Sequence, residues 1–295
     1  MTVRIEPAKP LIGGIVHVDK THLLDDQVIE AIGAALEERG VVVFPRINVS
    51  DDEQLALTDR LGGRANIGGK VPGAHAEKKD IYKITLDKKL NNEPDYVLGT
   101  FFWHVDGVPV DQPLPKATAL SARHLSSTGG ATEFANLYAA YENLPEEERR
   151  ELESLRVIHT VEGAVRPVYG RLSHEREERY ANLAPGMEHP LVWIHADGRK
   201  SLLIGTHAEG IVGMPGSHAR ALLTRLQQWA SQPEFVYRHN WQVGDLVIWN
   251  NQGVMHRVVP YSDEARVMHR TVIAGKEKPG RPASREQLAH LYEPT

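Results

Sequence analysis

The sequence predicts a mainly β domain with flanking helices, an α+β fold class. From Leu191 to Ala274 the apolar residues come in short runs separated by turn residues, which is the pattern of strands. Ahead of these runs stand segments whose apolar residues recur at helical spacing. No internal repeat, low-complexity segment or linker divides the 295 residues, so 1–295 reads as a single domain.

The elements follow in chain order. Ile12–Val18 reads as the first strand. Over Asp25–Leu36, residues Val28, Ile29, Ile32, Ala35 and Leu36 share one helical face, and Gly40 supplies the stop. Val41–Phe44 is a short buried strand ended by Pro45. Ser50 with Glu53 three residues on is a capping box that opens a helix to about Leu61. Residues 62–80, rich in Gly and charge, read as an irregular loop suited to an active-site lid. Thr118–Arg123 reads as a strand. Leu144-Pro145-Glu146 opens a charged helix to about Leu155 with a solvated face. Residues 160–185, polar from Arg166 to Ala184, read as a second irregular insertion. Leu191–His195 and Ser201–Ile204 flank Asp197-Gly198, a hairpin signal. His218–Trp229 has helical spacing. Trp241–Trp249 (broken at Gly244-Asp245), Val254–Val259 and Val267–Ala274 complete the strands.

Composition narrows the function. With 41% hydrophobic and 25% charged residues the chain fits a soluble globular protein. A net charge of −5 gives no reason to expect nucleic acid or an anionic membrane as partner. The chain has no Cys, which excludes disulfides, thiolate metal sites and a Cys nucleophile. Any metal must be held by His and carboxylate. The N-terminal stretch lacks a charged start followed by a long apolar run, and no stretch approaches the ~20 apolar residues of a membrane span, so the expected location is the cytoplasm.

Three His-x-Asp pairs stand in the chain: His17-Val18-Asp19, His104-Val105-Asp106 and His195-Ala196-Asp197. Asp197 precedes Gly198 between two apolar runs and is better explained as a turn residue. Nothing near His17 and Asp19 completes a site. His104 and Asp106 follow the aromatic run Phe101-Phe102-Trp103 and precede Gly107. In extended backbone, residues i and i+2 point to one face, so both reach one ion. The candidate third ligand is His256, early in the strand that follows the Asn250-Asn251-Gln252-Gly253 turn; alternation puts it on a face with Val254 and Val258, where a His is also commonly a core residue. Two His and one carboxylate form a facial triad with positions left open for substrate and oxygen. The next strand places Arg266, Met268, Arg270 and Val272 on one face. If that face is interior, each guanidinium needs an anion, and the planar Arg fork suits a carboxylate. A metal site beside two such Arg suggests a keto-acid cosubstrate and an anionic substrate.

The order W-H-x-D, G-G-x-T, W-x-N-x-x-x-x-H-R, R-x-M-H-R resembles the taurine dioxygenase family of iron(II)- and 2-oxoglutarate-dependent dioxygenases, from about Ile12 to Gly275. The resemblance implies a double-stranded β-helix, or jelly roll, with flanking helices. It implies that His104, Asp106 and His256 ligate iron(II), with O2 as the oxidant. It implies that Thr132 and Arg266 bind 2-oxoglutarate, and that Arg270 contacts the anionic group of a small-molecule substrate. It also implies hydroxylation of an unactivated C–H bond with release of succinate and carbon dioxide; members with a small residue at the Asp106 position are halogenases. Family members are often homodimers or homotetramers. Two departures stand out. Asn250 replaces a frequent Asp, which removes no ligand. Gly107 stands where some sulfonate-using members have a larger apolar residue beside the substrate. Ser201–Ala208 resembles members that oxidise aryloxyalkanoate acids more than taurine enzymes. From the 62–80 loop, His75 is a candidate substrate contact, with Lys70 beside it; Tyr169 and Arg171 in the second insertion are open to the same reading. An alternative is a non-oxidative metal-dependent hydrolase or a metal-binding barrel using the same His/Asp/His set; a non-catalytic barrel would have no use for Arg266 and Thr132 together.

Overall fold

The computed structural model describes residues 3–65, 80–91, 94–184 and 186–291. The chain opens with a hairpin, β1 (Arg4–Pro7) and β2 (Gly14–His17), followed by α1 (Asp26–Arg39) and β3 (Val41–Phe44). Next come α2 (Asp51–Arg60), β4 (Tyr82–Ile84) and the short α3 (Pro94–Leu98). The middle holds β5 (Ala117–His124), β6 (Thr132–Asn136), α4 (Leu137–Glu142), α5 (Glu146–Glu153), β7 (Arg156–His159), α6 (Val161–Tyr169) and α7 (His174–Leu183). Then follow β8 (Met187–Pro190), β9 (Val192–Ile194), β10 (Lys200–Leu202), β11 (Ala208–Ile211) and α8 (Gly216–Ala230). The last part is β12 (Val236–His239), β13 (Leu246–Asn250), β14 (Val254–Val258), β15 (Val267–Ile273), β16 (Arg281–Pro282) and α9 (Arg285–His290).

A seven-stranded sheet runs β1-β2-β3-β13-β5-β15-β4, and a three-stranded sheet runs β12-β6-β14. They face each other as a jelly roll, and the two-residue period of their strands sorts the core. In β3 and β13, Val41, Val43, Val247 and Trp249 point inward to meet Phe134 of β6 and Val254 of β14. Val42, Phe44, Leu246 and Ile248 point outward to meet Val28, Ile32, Ala35 and Leu36 of α1 and Leu57 of α2. The expected period-2 and period-3.6 patterns thus mesh on one surface. The second flank is covered by α4, α8 and the β9–β10 hairpin, over Trp193, Leu202, Leu223 and Leu226. A third sheet, β11-β7-β8-β16, carries the buried carboxylate of Glu188, which ties Arg156, Arg281 and Gln287 and so anchors α9.

Local signals are obeyed where they are strong. Ser50 and Glu53 form the reciprocal capping box of α2. Gly40 ends α1 at φ +72°, where a Cβ would also meet Val254 at 2.7 Å, so only Gly fits. Three expectations need correction. The strand expected over Ile12–Val18 is present as β2 (Gly14–His17) but is not the first; β1 precedes it, and its mostly exposed side chains give little apolar pattern to read. Trp241–Val243 is not strand: β12 ends at His239, and a turn precedes β13. The insertion over 160–185 is not irregular, because α6 and α7 fill most of it. Thr160 and Ser173 cap these helices, and Val161, Val165, Leu172 and Tyr180 pack against Tyr96 and Val110. Helices this short depend on tertiary packing, and Pro167 inside α6 reads locally as a helix breaker.

Among the described residues no helix is long and apolar enough to cross a membrane.

The turn before β13 depends on a buried carboxylate. Asp245 accepts from the Gln242 amide at 2.8 Å, the Arg46 amide at 2.8 Å and faces His239 Nε2 at 3.0 Å. Burial alone would raise its carboxyl, but these donors outweigh it and hold the pKa below the ordinary value. A depressed folded pKa contributes stability that is present above the unfolded pKa of ~3.9 and lost as pH falls through the folded value. Asp245→Asn is expected to cost about 1–3 kcal/mol at pH 7 and to flatten the acid limb of stability. Denaturant unfolding between pH 7 and 3 checks this; an acid limb as steep as wild type would refute it.

Candidate active site

The site is built on a strand edge. His256 lies on β14, the edge strand of the three-stranded sheet, and His104 pairs with it as an isolated antiparallel bridge. The two residues exchange both backbone bonds, His104 N–H to His256 O at 3.0 Å and the reverse at 2.9 Å. Such a pair sets its side chains abreast, and the imidazole centroids stand 4.2 Å apart. The chain then turns at Asp106 instead of running on extended, and Gly107 takes φ +81°. The turn brings Asp106 Oδ1 to 4.0 Å from His104 Nε2. One ligand atom from each of His104, Asp106 and His256 lies within 4.8 Å of the other two. The expected triad therefore assembles.

Neighbouring groups fix the ligands. His104 Nδ1 lies 2.8 Å from the Phe102 carbonyl. A carbonyl only accepts, so Nδ1 carries the proton and Nε2 keeps its lone pair for a metal. Trp249 Nε1 donates to Asn251 Oδ1 at 2.9 Å, Asn251 Nδ2 donates to Thr118 Oγ1 at 2.8 Å, and Thr118 donates to Asp106 Oδ2 at 2.8 Å. This relay gives the W-x-N motif a role: it orients the carboxylate ligand from the other sheet. His207, buried and unsuspected from sequence, accepts the Val105 amide at 3.1 Å and so pins the residue between two ligands. Burial, then the nearby His104, push its pKa down to about 3, so it stays neutral.

The electrostatics suit metal binding. Burial lowers His104 and lowers His256 well below the usual imidazole range. Burial alone would raise Asp106, but Arg270, His256, His104 and the Thr118 hydroxyl hold it well below the usual carboxylate range. Neutral imidazoles and an ionised carboxylate are the ligating forms. His256 Nδ1 is buried and has no hydrogen-bond partner among the described residues.

Both arginines face inward. Arg266 is 1% exposed, and Nε, Nη1 and Nη2 all lack a hydrogen-bond partner among the described residues. A buried unpaired guanidinium is costly and calls for an anion. Gly130 of the Gly129-Gly130-Ala131-Thr132 motif lies beneath it, its Cβ direction 3.2 Å from Arg266 Cδ. Thr132 is buried, with its hydroxyl accepting from Trp241 Nε1 at 2.9 Å. Arg270 Nη1 lies 3.6 Å from Asp106 Oδ1, and its Nε is buried without a hydrogen bond. The orphaned donors and the two-imidazole, one-carboxylate set fit a divalent metal and a dianionic keto acid.

A cavity opens over His104 and Asp106, lined by Arg270 and His207 on its polar side and by Tyr96, Pro109, Val110, Val161, Ala164 and Val165 on its apolar side. The sequence marks the 160–185 insertion as pocket-shaping, but not that a helix, α6, forms the wall or which of its residues do so. Gly107 also lines the cavity, but its Cβ direction meets Pro115 at 2.8 Å. Its small size therefore serves the turn as well as the pocket. Tyr169 stacks under Arg176 and Arg171 is exposed; neither lines the cavity. His75 and Lys70 lie outside the described residues. His17 faces Glu6, Asp19 caps a 3-10 turn, His195 bonds Ser201 and Asp197 accepts from the Arg199 amide, so neither of these pairs makes a metal site.

Thr118→Val is expected to weaken divalent-metal binding roughly 10- to 100-fold while His104→Ala abolishes it, because outer-shell partners hold a carboxylate ligand in place. Metal titration of the metal-free protein checks this; unchanged affinity in Thr118→Val would deny the relay its role.

Comparison with known proteins agrees with this geometry. Residues 4–272 match the family described as taurine catabolism dioxygenase TauD, TfdA family. The chain is similar to the alpha-ketoglutarate-dependent 2,4-dichlorophenoxyacetate dioxygenase of Cupriavidus pinatubonensis, 36% identical over 277 residues, covering 90% of this chain and 95% of that one. It is similar to the (S)-phenoxypropionate/alpha-ketoglutarate dioxygenase of Delftia acidovorans, at 30% identity over 93% and 96% of the two chains. Among solved structures it resembles AAD-2 in complex with Mn(II) and N-oxalylglycine, with a TM-score of 0.77 and 31% identity over 94% of this chain and 99% of that one. A family match over nearly the whole length, joined to a complete His-Asp-His triad, makes the chain a member of the TauD/TfdA dioxygenase family.

Proposed function

We propose that this 2-oxoglutarate-dependent dioxygenase hydroxylates a C–H bond of a small monoanionic acid with an apolar, aryl-sized body, of the aryloxyalkanoate type. The observation that carries the reading is the pair of inward arginines: one is sealed and unpaired beside the Gly-Gly-x-Thr turn, and one stands at the triad. A hydrolase using metal-bound water has no use for the first. The ligand set is that of non-haem iron(II) oxygenases. Iron(II), 2-oxoglutarate and O2 together supply the oxidising power, with succinate and carbon dioxide released.

The chain's own residues bind, orient and exclude water. Arg266 offers its fork to the distal carboxylate of 2-oxoglutarate, and Thr132, already accepting from Trp241, turns its own proton toward the same cosubstrate. Arg270 holds the substrate anion at the triad, while Val110, Val161 and Val165 take the apolar body. Among these groups, a divalent metal, a dianionic cosubstrate and a monoanionic substrate bring the charge to zero, which favours the full complement over any partial one. Relatives named for 2,4-dichlorophenoxyacetate and (S)-phenoxypropionate, together with the apolar wall of Val110, Val161 and Val165, favour aryloxyalkanoates over taurine. Hydroxylation on the carbon beside an ether oxygen gives a product that collapses and breaks the C–O bond.

Succinate release in the presence of phenoxyacetate, an alkyl sulfate or taurine tests the substrate class. Phenoxyacetate is expected to give the greatest release, and turnover without O2 or 2-oxoglutarate would sink the reading. Arg266→Ala is expected to raise the 2-oxoglutarate KM roughly 10- to 100-fold, and Arg270→Ala to do the same for the anionic substrate, as loss of a charged hydrogen bond requires. Unchanged substrate affinity and turnover in Arg270→Ala would remove its assigned role.

A further inference from the structure

Beside Arg266 stands a second orphan. Tyr261 is 6% exposed, and its hydroxyl is buried with no hydrogen-bond partner among the described residues. The Arg266 guanidinium carbon lies 5.0 Å from the Tyr261 ring centroid. The guanidinium and the phenol interact with each other, but a phenol that faces a donor still has its own O–H proton to give, and the guanidinium has further N–H donors to give. One acceptor-rich ligand satisfies both. A carboxylate offers about four acceptor positions; a guanidinium fork uses two, which leaves room for a phenolic O–H.

The local structure holds Tyr261 at that spot. Gly130 N–H donates to Val259 O at 2.9 Å, and Val259 N–H donates to Ala131 O at 2.7 Å. These bonds zip the segment leading to Tyr261 onto the Gly129-Gly130-Ala131-Thr132 turn. A Cβ on Gly129 would lie 2.1 Å from the Pro260 carbonyl oxygen, so the two turns touch backbone to backbone. Phe101 packs on the Tyr261 ring, with centroids 5.4 Å apart, and braces its far side.

We propose that Tyr261 is a second donor to the distal carboxylate of 2-oxoglutarate and sets the preference for a dicarboxylic keto acid. The assignment rests on the reading that Arg266 holds that carboxylate. Calorimetric titration of the full chain loaded with redox-silent Mn(II) separates the two. The ligands are 2-oxoglutarate and 2-oxopentanoate, which carries a methyl group where the distal carboxylate would be. The proteins are wild type and Tyr261→Phe, which keeps the ring against Phe101. The expected result is that wild type strongly prefers 2-oxoglutarate, and that Tyr261→Phe weakens 2-oxoglutarate roughly tenfold and leaves 2-oxopentanoate unchanged. If wild type prefers 2-oxoglutarate but Tyr261→Phe binds it as tightly, or loses both acids alike, Tyr261 is not the donor. If wild type does not distinguish the acids, the Arg266 reading fails and takes this one with it.

Discussion

Everything in the site depends on one backbone pairing, the antiparallel bridge between His104 and His256. The two residues are 152 positions apart in the numbering, and Asp106 follows His104 by two. The double hydrogen bond sets the imidazoles abreast, and the turn after Val105 returns the carboxylate to them. The remaining structure guards this arrangement. His207 holds the Val105 amide from one side, and the Trp249–Asn251–Thr118 relay holds Asp106 from the seven-stranded sheet. The ligands are thus positioned by both sheets, which places them with the precision of the jelly roll itself.

The second constraint is charge. Burial keeps His104 and His256 neutral, so Asp106 is the sole anion of the triad, and two arginines face the same interior. The protein holds a positive excess where its own groups cannot neutralise it. Arg266 in particular is sealed beside Tyr261 with no anionic partner among the described residues. Such an arrangement is destabilising on its own and is relieved when anions bind, so it stores selectivity for them at the expense of the free protein.

Legibility in the sequence followed the strength of the local signal. The α2 capping box, the Gly40 stop and the hairpin at Asp197-Gly198 were legible because a few adjacent residues decide them. Helices α6 and α7 were not, since their buried face is made with Tyr96 and Val110, far away in the chain. The clustering of His104, Asp106 and His256 was legible through residue type, spacing and family resemblance. The roles of Thr118 and His207 were not: an ordinary Thr on a strand and a His noted only within the Ser201–Ala208 resemblance show no task until the fold puts them against the His104–Asp106 segment.

By itself the sequence determined the class of chemistry and the material of the fold. A chain without Cys can ligate only through His and carboxylate. The alternation along β3, β13 and β15 divides each strand into a helix-facing and an interior face. These are properties of residue type and short-range periodicity, which survive in one dimension. Only the tertiary structure decided that Asn251 serves Asp106 through Thr118, that α6 walls the cavity, that Gly107 is small for the sake of Pro115, and that Tyr261 and Arg266 share an unmet need. Each is a contact between groups brought together by sheet closure, and closure is a global outcome of burying both faces of the large sheet at once.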